Sequence, residues 1–422
     1  MKINRLIFYI AVVALIFSVT ACNDPPEATP IITAAAVGIT APAANRPPDT
    51  SASGSGNFTV ASVSWTPNDH TFMVYKTYTV SITLTANEGC FFADNLSASI
   101  NGQTASVSGG GSTVTLSYAF AEIPDSANAV MNGTPEKPFK VYDVGTLRRV
   151  GADTANGWSL VVCYEQTADI VLPPVGAGGT NWTAIGSFSI SAENSFRGTY
   201  DGGGHTISNL TINANSGWQG MFGYLANDGI VKNVGIINGS IKGGNNIGGL
   251  AGQNDSGTVQ NCYFSGSVTG GDDAGGIAGQ NNGTVQNCYS TGSVSGGYTG
   301  TVGGVVGSNS VSVQNCAALN DRVTTLHGSN SVGRIAGENN GTLANNYARS
   351  GMGIKYGSTG DDKNPVNNPG GVDGENISAG QYNSEAWWKD TGNWKTDGGA
   401  FAWDFVNIWK WDSTAGLPVL KK

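Results

Sequence analysis

The sequence runs to 422 residues, which at about 100–200 residues per domain suggests two or three domains plus linkers. Glycine supplies 62 residues without a collagen-type period, and charged side chains only 12% against roughly 25% in typical soluble proteins; this excludes a charged disordered chain, a coiled coil and a nucleic-acid binder. Without residues 1–21, which hold Lys2 and Arg5 and no acid, 19 basic side chains face 30 acidic ones, a balance of −11 that repels phosphate backbones and anionic head groups.

Lys2 and Arg5 precede an apolar run from Leu6 to Phe17, too short to span a bilayer at ~20 residues but right for a signal h-region. The following Val19-Thr20-Ala21-Cys22 resembles the bacterial lipobox, in which small residues precede a cysteine that receives the lipid. Residues 1–21 are therefore expected to be a lipoprotein signal peptide, with Cys22 lipidated. Residues 22–56, rich in Ala, Pro, Thr and Ser, are expected to be a disordered tether. The partner implied is a membrane, held through the lipid. The location implied is the bacterial cell envelope, at the outer membrane or cell surface.

Residues 57–125 alternate with period two. In Tyr78-Thr79-Val80-Ser81-Ile82-Thr83-Leu84-Thr85 the apolar side chains share one face and hydroxyls the other, and Val114–Phe120 repeats the pattern. With turns at Asn87-Glu88-Gly89, Asn101-Gly102 and Gly109-Gly110-Gly111, the segment fits a small immunoglobulin-like β-sandwich, although Trp65 and Cys90 do not complete the antibody-type Cys–Trp–Cys spacing. A spacer role and ligand binding are both compatible with it.

Residues 135–198 are expected to be the amino-terminal cap of a repeat region, with Asp143 as N-cap of a short helix carrying Val144, Leu147 and Val150 on one stripe. From 199 to 353 the chain repeats. Ile207-Ser208-Asn209-Leu210, Val231-Lys232-Asn233-Val234, Val259-Gln260-Asn261-Cys262, Val285-Gln286-Asn287-Cys288, Val313-Gln314-Asn315-Cys316 and Leu343-Ala344-Asn345-Asn346 superimpose, with asparagines 24, 28, 26, 28 and 30 residues apart. A second block recurs as Gly220-Met221-Phe222-Gly223, Gly249-Leu250-Ala251-Gly252, Gly276-Ile277-Ala278-Gly279, Gly304-Val305-Val306-Gly307 and Arg334-Ile335-Ala336-Gly337. A strand-turn unit of this length cannot bury its own apolar face, so the units must stack. The fold class expected is all-β: a right-handed parallel β-helix preceded by the small sandwich.

Asparagine tolerates the left-handed backbone region and suits a tight corner. Asn209, Asn233, Asn261, Asn287, Asn315 and Asn345 are thus expected to form a ladder of amides from coil to coil, with Cys262, Cys288 and Cys316 as a stacked column of buried, reduced thiols. Gly248–Gly252 and Gly257-Thr258-Val259-Gln260-Asn261-Cys262-Tyr263 resemble the GLUG repeat of bacterial surface proteins, and Phe196–Ile207 resembles the segment leading into such repeats. The resemblance covers residues 135–422 and implies an extracellular, often adhesin-like β-helix. GLUG repeats also occur in zinc peptidases that cleave immunoglobulin A, but none of His70, His205 and His327 begins a His-Glu-x-x-His motif.

Residues 354–380, rich in Gly, Asn, Asp and Pro, are expected to form a loop. Residues 381–422, with Trp387, Trp388, Trp394, Trp403, Trp409 and Trp411, are expected to form an apolar cap on the last coil, although exposed tryptophans would also suit sugar stacking. Asp228 and Asp255 stand about one period apart and Asp272-Asp273 sits among glycines, where a loop would bind calcium weakly; solvated turns account for all of them. The expected function is non-catalytic adhesion or binding of a host or environmental glycan or protein, through solvent-facing Tyr263, Tyr289 and Tyr298. The expected cofactor, metal, catalytic residue and nucleic-acid partner are none. A polysaccharide-degrading β-helix enzyme and a purely structural surface protein are the alternatives.

Overall fold

The computed structural model describes residues 30–422 apart from 45, 126, 129, 190–192, 327, 329–330 and 395–402. The expected signal peptide and Cys22 lie outside the described residues. The chain divides into two units, one built mainly from the residues before 120 and the other from 121 onward.

The first unit contains β1 (Ile31–Gly38), β2 (Ser53–Gly54), β3 (Phe58–Thr66), β4 (Thr79–Ala86), β5 (Phe91–Ile100), β6 (Gln103–Thr104), β7 (Ser106–Gly110) and β8 (Thr113–Ala119). They form two four-stranded sheets in the orders β2-β1-β5-β6 and β3-β4-β8-β7. The period of two sets the faces: Val80, Ile82, Leu84, Val114 and Leu116 turn inward and are buried. On the other face Ser81 and Ser117 hydroxyls meet at 3.1 Å. The expected tether is corrected here. Ile32, Ala35 and Val37 of β1 are buried and β1 pairs in parallel with β5, while Asn101 clamps Ile39 through both backbone groups at 2.9 and 2.8 Å. Short Ala and Thr side chains hid this strand, because they read equally well as linker.

The second unit is a parallel β-helix. Its first strands are β9 (Phe139–Val141), β10 (Cys163–Gln166), β11 (Ile170–Val171), β12 (Thr199–Asp201) and β13 (Thr206–Ser208). Three parallel sheets run along it, with strand bonds directed coil to coil. One inward column reads Phe139, Tyr164, Tyr200, Val231, Val259, Val285, Val313 and Leu343, which counts eight coils. A second column holds Ile212, Ile241, Val268, Val294, Val323 and Ile354, and a third holds Ile247, Ala274, Val302 and Val332. All of these are buried, and no coil could shield them alone. Coils therefore begin at β9, inside the segment expected to be only a cap. Aromatic rings replace aliphatic side chains in the first three, which masked the repeat.

The amino-terminal end is closed by α1 (Val144–Arg149), whose N-cap Asp143 forms a capping box with Thr146. Leu147 and Val150 are buried beneath it. Trp158 stacks on Phe139 at 4.7 Å, and the Arg149 guanidinium lies 4.3 Å from the Trp158 ring and 3.7 Å from the Tyr75 ring, paired with Asp125 and Asp153.

At the far end Arg334 replaces the glycine of the other coils. A Cβ on Gly276 would collide with the Gly304 carbonyl and the Ser290 side chain of the next coil, so only glycine fits there. Below Arg334 the stack ends, and its buried guanidinium donates to the Asp373 carbonyl at 2.8 Å, the Gly374 carbonyl at 3.2 Å and Asn376 Oδ1. The Val372 carbonyl accepts the Ile335 amide at 2.8 Å, and strand Glu375–Ile377 pairs with Tyr347–Arg349. The segment expected as a loop is thus what terminates the helix.

The Trp-rich segment lies elsewhere than expected. Trp388, Trp394, Trp403 and Trp409 are buried against Tyr263, Tyr289, Ala317, Leu319 and Tyr347, outward-facing residues of successive coils. The segment runs back along the flank of the stack: the Tyr347 hydroxyl donates to the Asn393 carbonyl at 2.6 Å, the Tyr289 hydroxyl to the Pro418 carbonyl at 2.9 Å, and Lys422 pairs with Asp169 of the second coil. It straps the side of the rod and does not cap its end.

Candidate functional site

The asparagine corners take the left-handed backbone their sequence context demands: φ lies between 52° and 63° at Asn209, Asn233, Asn261, Asn287, Asn315 and Asn345. Asn261 Nδ2 donates to Asn233 Oδ1 and Asn287 Nδ2 to Asn261 Oδ1, each at 3.2 Å, and Asn233 Nδ2 donates on to Asp201 at 3.0 Å. Asn209 belongs to another corner. Ile207 pairs with Ile236 rather than with Val231, so Asn209 receives the Asn238 amide at 2.8 Å and the position in line with Asn233 is Gly202. The sequence match of Ile207–Leu210 to Val231–Val234 had placed it one strand early.

Two further ladders escaped the sequence reading. Asn254, Asn281, Asn309 and Asn339 are linked Nδ2 to Oδ1 at 2.8, 2.8 and 2.7 Å. The first three are fully buried, and Asn281 Nδ2 also donates to the Ser312 carbonyl. The signal was present as Gln253-Asn254, Gln280-Asn281, Ser308-Asn309 and Glu338-Asn339, each just after the glycine block. On the outer surface Gln260, Gln286 and Gln314 are linked at 2.8 and 2.9 Å. The same outer column begins as ion pairs, Lys140 with Glu165 and Lys232 with Asp201. Beside it runs Thr258, Thr284, Ser312 and Thr342.

Tyr263 and Tyr289, expected as solvent-facing contacts, are only 4% and 3% exposed, stacked at 5.0 Å and 3° beneath the Trp strap. The strap, which the sequence did not place on this face, is the reason. Burial pushes the Tyr289 hydroxyl well above the ordinary tyrosine range and Tyr263 up to about 12. Tyr298 is 62% exposed.

The acids are spread along the corners, most of them with a local partner. Asp255 accepts Asn282 at 3.3 Å, Asp272 accepts Thr299, Asp273 accepts the Thr301 amide and hydroxyl at 2.9 Å, and Asp321 pairs with Arg349 at 2.7 Å. Asp228 stands exposed in a left-handed turn. Among the described residues, no group of three or more His, Cys, Asp or Glu is placed to hold a metal ion. Cys262, Cys288 and Cys316 are buried free thiols, each within 3.2 Å of the carbonyl two residues before it. Desolvation raises the Cys288 thiol well above its usual value.

A recess lies near the amino-terminal coils. Residues 180–187 of the connection between β11 and β12 form the shared wall of two adjoining hollows of about 730 and 470 Å³. Trp182 anchors that wall, buried and donating its indole N–H to the Met221 carbonyl at 3.0 Å. At the rim of the smaller hollow the Phe188 ring lies flat on Trp218, centroids 4.9 Å apart at 9°, with the Tyr224 ring edge-on at 5.5 Å.

Stacked parallel coils joined by side-chain amides define the class: a β-helical repeat protein. The GLUG motif matches residues 243–269, about one period of the stack. The chain is similar to halomucin of Haloquadratum walsbyi, 33% identical over 132 residues, which is 31% of this chain; it spans about 1% of halomucin's length. Among solved structures it is similar to a Bacteroides ovatus protein provisionally described as an immunoglobulin A1 protease, 22% identical with a TM-score of 0.48, over 69% of this chain and 94% of that one.

Proposed function

We propose that this chain is a lipid-anchored β-helical protein of the bacterial cell surface that binds an external glycan or protein and performs no catalysis. The carrying observation is the placement of the carboxylates. Glycosidase chemistry needs two carboxyl groups about 5–9.5 Å apart across an open site. Asp201, Asp255, Asp272, Asp273 and Asp321 each hydrogen-bond or ion-pair with a nearby Asn, Thr, Lys or Arg, which favours a structural role for them over an open catalytic pair. The lipobox-like Val19–Cys22, the GLUG motif and the similarity to a protein named halomucin support a surface location. The small two-sheet unit would act as the spacer nearest the anchor.

The test has two parts. Labelled palmitate should enter the wild-type protein in cells and not the Cys22→Ser variant, and protease added to intact cells should digest the wild type. The mature protein on arrays of glycans and host proteins should retain a ligand without altering it. Release of new reducing ends or unsaturated sugars would contradict the non-catalytic reading.

A further inference from the structure

We propose that the recess walled by residues 180–187 is an oligosaccharide-binding groove in which the exposed Phe188 ring, mounted on Trp218, stacks against a sugar. This rests on the binding role proposed above and gives it a place and a ligand class. Phe188 is 47% exposed, so its ring is not serving the core. It is nonetheless rigidly mounted: Trp218 donates its indole N–H to Gln253 at 2.9 Å and its backbone N–H to the Asn245 carbonyl at 2.7 Å, from a left-handed conformation with φ 54°. A bulky residue held at positive φ is strained, and such strain is found where a side chain must be aimed.

The lining fixes the chemistry of the occupant. In a chain with 30 acidic residues, no described carboxylate lines either hollow, and the single charged side chain is Arg148. The remaining polar groups are neutral, with Thr183 and Ser187 exposed on the shared wall. A cationic ligand would find no carboxylate to pair with. A sugar presents C–H faces, which suit the negative face of an aromatic ring, and hydroxyls, which suit threonine, serine and the arginine fork. Each volume falls in the ordinary range for small-molecule sites. The groove lies apart from the tryptophan strap, whose rings are packed on Tyr263, Tyr289 and Tyr347.

The experiment uses the mature protein against a glycan array, followed by titration of the best retained oligosaccharide. Phe188→Ala should weaken that affinity at least about tenfold, the loss expected of an aromatic anchor. Phe188→Tyr should keep it, and Val366→Ala, an exposed apolar residue that lines neither hollow, should leave it unchanged. Thermal melting of each variant reports that the fold is intact. Wild-type affinity in Phe188→Ala would overturn the groove while leaving glycan binding in place. Capture of a host protein with no oligosaccharide retained would overturn the groove and leave the adhesion role standing. Silence on both arrays would remove the broader role as well.

Discussion

Asn254 and Asn281, 27 residues apart in the chain, face each other in adjacent coils with Nδ2 to Oδ1 at 2.8 Å inside the wall of the rod. Asn281 passes the bond on to Asn309, accepting from one coil and donating to the next. A buried polar group is tolerated only when its hydrogen bonds are made, and the ladder makes them by repetition. It also fixes register, because a slip by one residue would leave a row of unpaired amides.

Asn281→Ala should therefore destabilise the protein by about 2–4 kcal/mol, since it deletes its own bonds, removes the donor to buried Asn309 Oδ1 and takes one of two acceptors from Asn254 Nδ2. Denaturant unfolding would show it as a lower midpoint at unchanged slope. The same change at exposed Asn340 should cost less than about 0.5 kcal/mol.

Backbone conformation separates the corner asparagines from this buried row. Asn287 sits at φ 54°, where alanine incurs the steric penalty of left-handed backbone and glycine does not. Asn287→Gly should be more stable than Asn287→Ala by about 1 kcal/mol, measured by thermal melting, although both lose the bond to Asn261. Equal stabilities would mean that the corner owes nothing to its φ.

Arg334 closes the carboxy-terminal end by doing for the last coil what a next coil would do. Arg334→Ala strips the Asp373, Gly374 and Arg349 carbonyls and Asn376 Oδ1 of their donor and empties a buried site, which should cost about 3–5 kcal/mol. Hydrogen exchange should accelerate first in residues 363–377 and not in the amino-terminal coils.

Much of this was legible because the chemistry repeats. Valines at 231, 259, 285 and 313 announced an inward column, and the asparagine two residues after each announced a corner. What escaped did so for physical reasons. Tyr164 and Tyr200 occupy the same column but belong to no aliphatic pattern. Asn254 and Asn281 sit just beyond a glycine block, in a context that reads as surface turn. The strap is non-local: nothing within residues 381–422 says that they lie along Tyr263 and Tyr289 instead of the end of the stack, so those tyrosines were mistaken for a contact surface.

The strap predicts a packing effect. Trp409 is fully buried among Trp403, Tyr289 and Tyr263, and Trp409→Ala should cost about 3–5 kcal/mol. It should also expose Tyr289 to solvent, seen as increased binding of a hydrophobic dye. An unchanged melting curve would show that the strap contributes nothing to the flank it covers.

Alkaline pH should unfold the protein before acid does so through these groups. The folded state holds Cys288, Tyr200 and Tyr289 above their ordinary values, and Tyr224, Tyr263 and Tyr347 at about 12. Raised pKa values mean that the folded state binds more protons than the unfolded one above pH ~8.5–10, so their contribution is complete below that window and is lost as pH rises through the folded values. Denaturant midpoints should be level near neutrality and fall progressively above about pH 9. The Cys288→Ala variant should lose the earliest part of that fall.

The most direct measurement of the central claim is the register of the coils around Asn281, read from an electron-density map of the crystallised protein. The account predicts that the Asn254, Asn281 and Asn309 amides lie in one line with bonded contacts near 2.8 Å and Val259, Val285 and Val313 stacked inward at the strand spacing. Amides separated by a full side chain's reach, or any helix through residues 250–315, would contradict it.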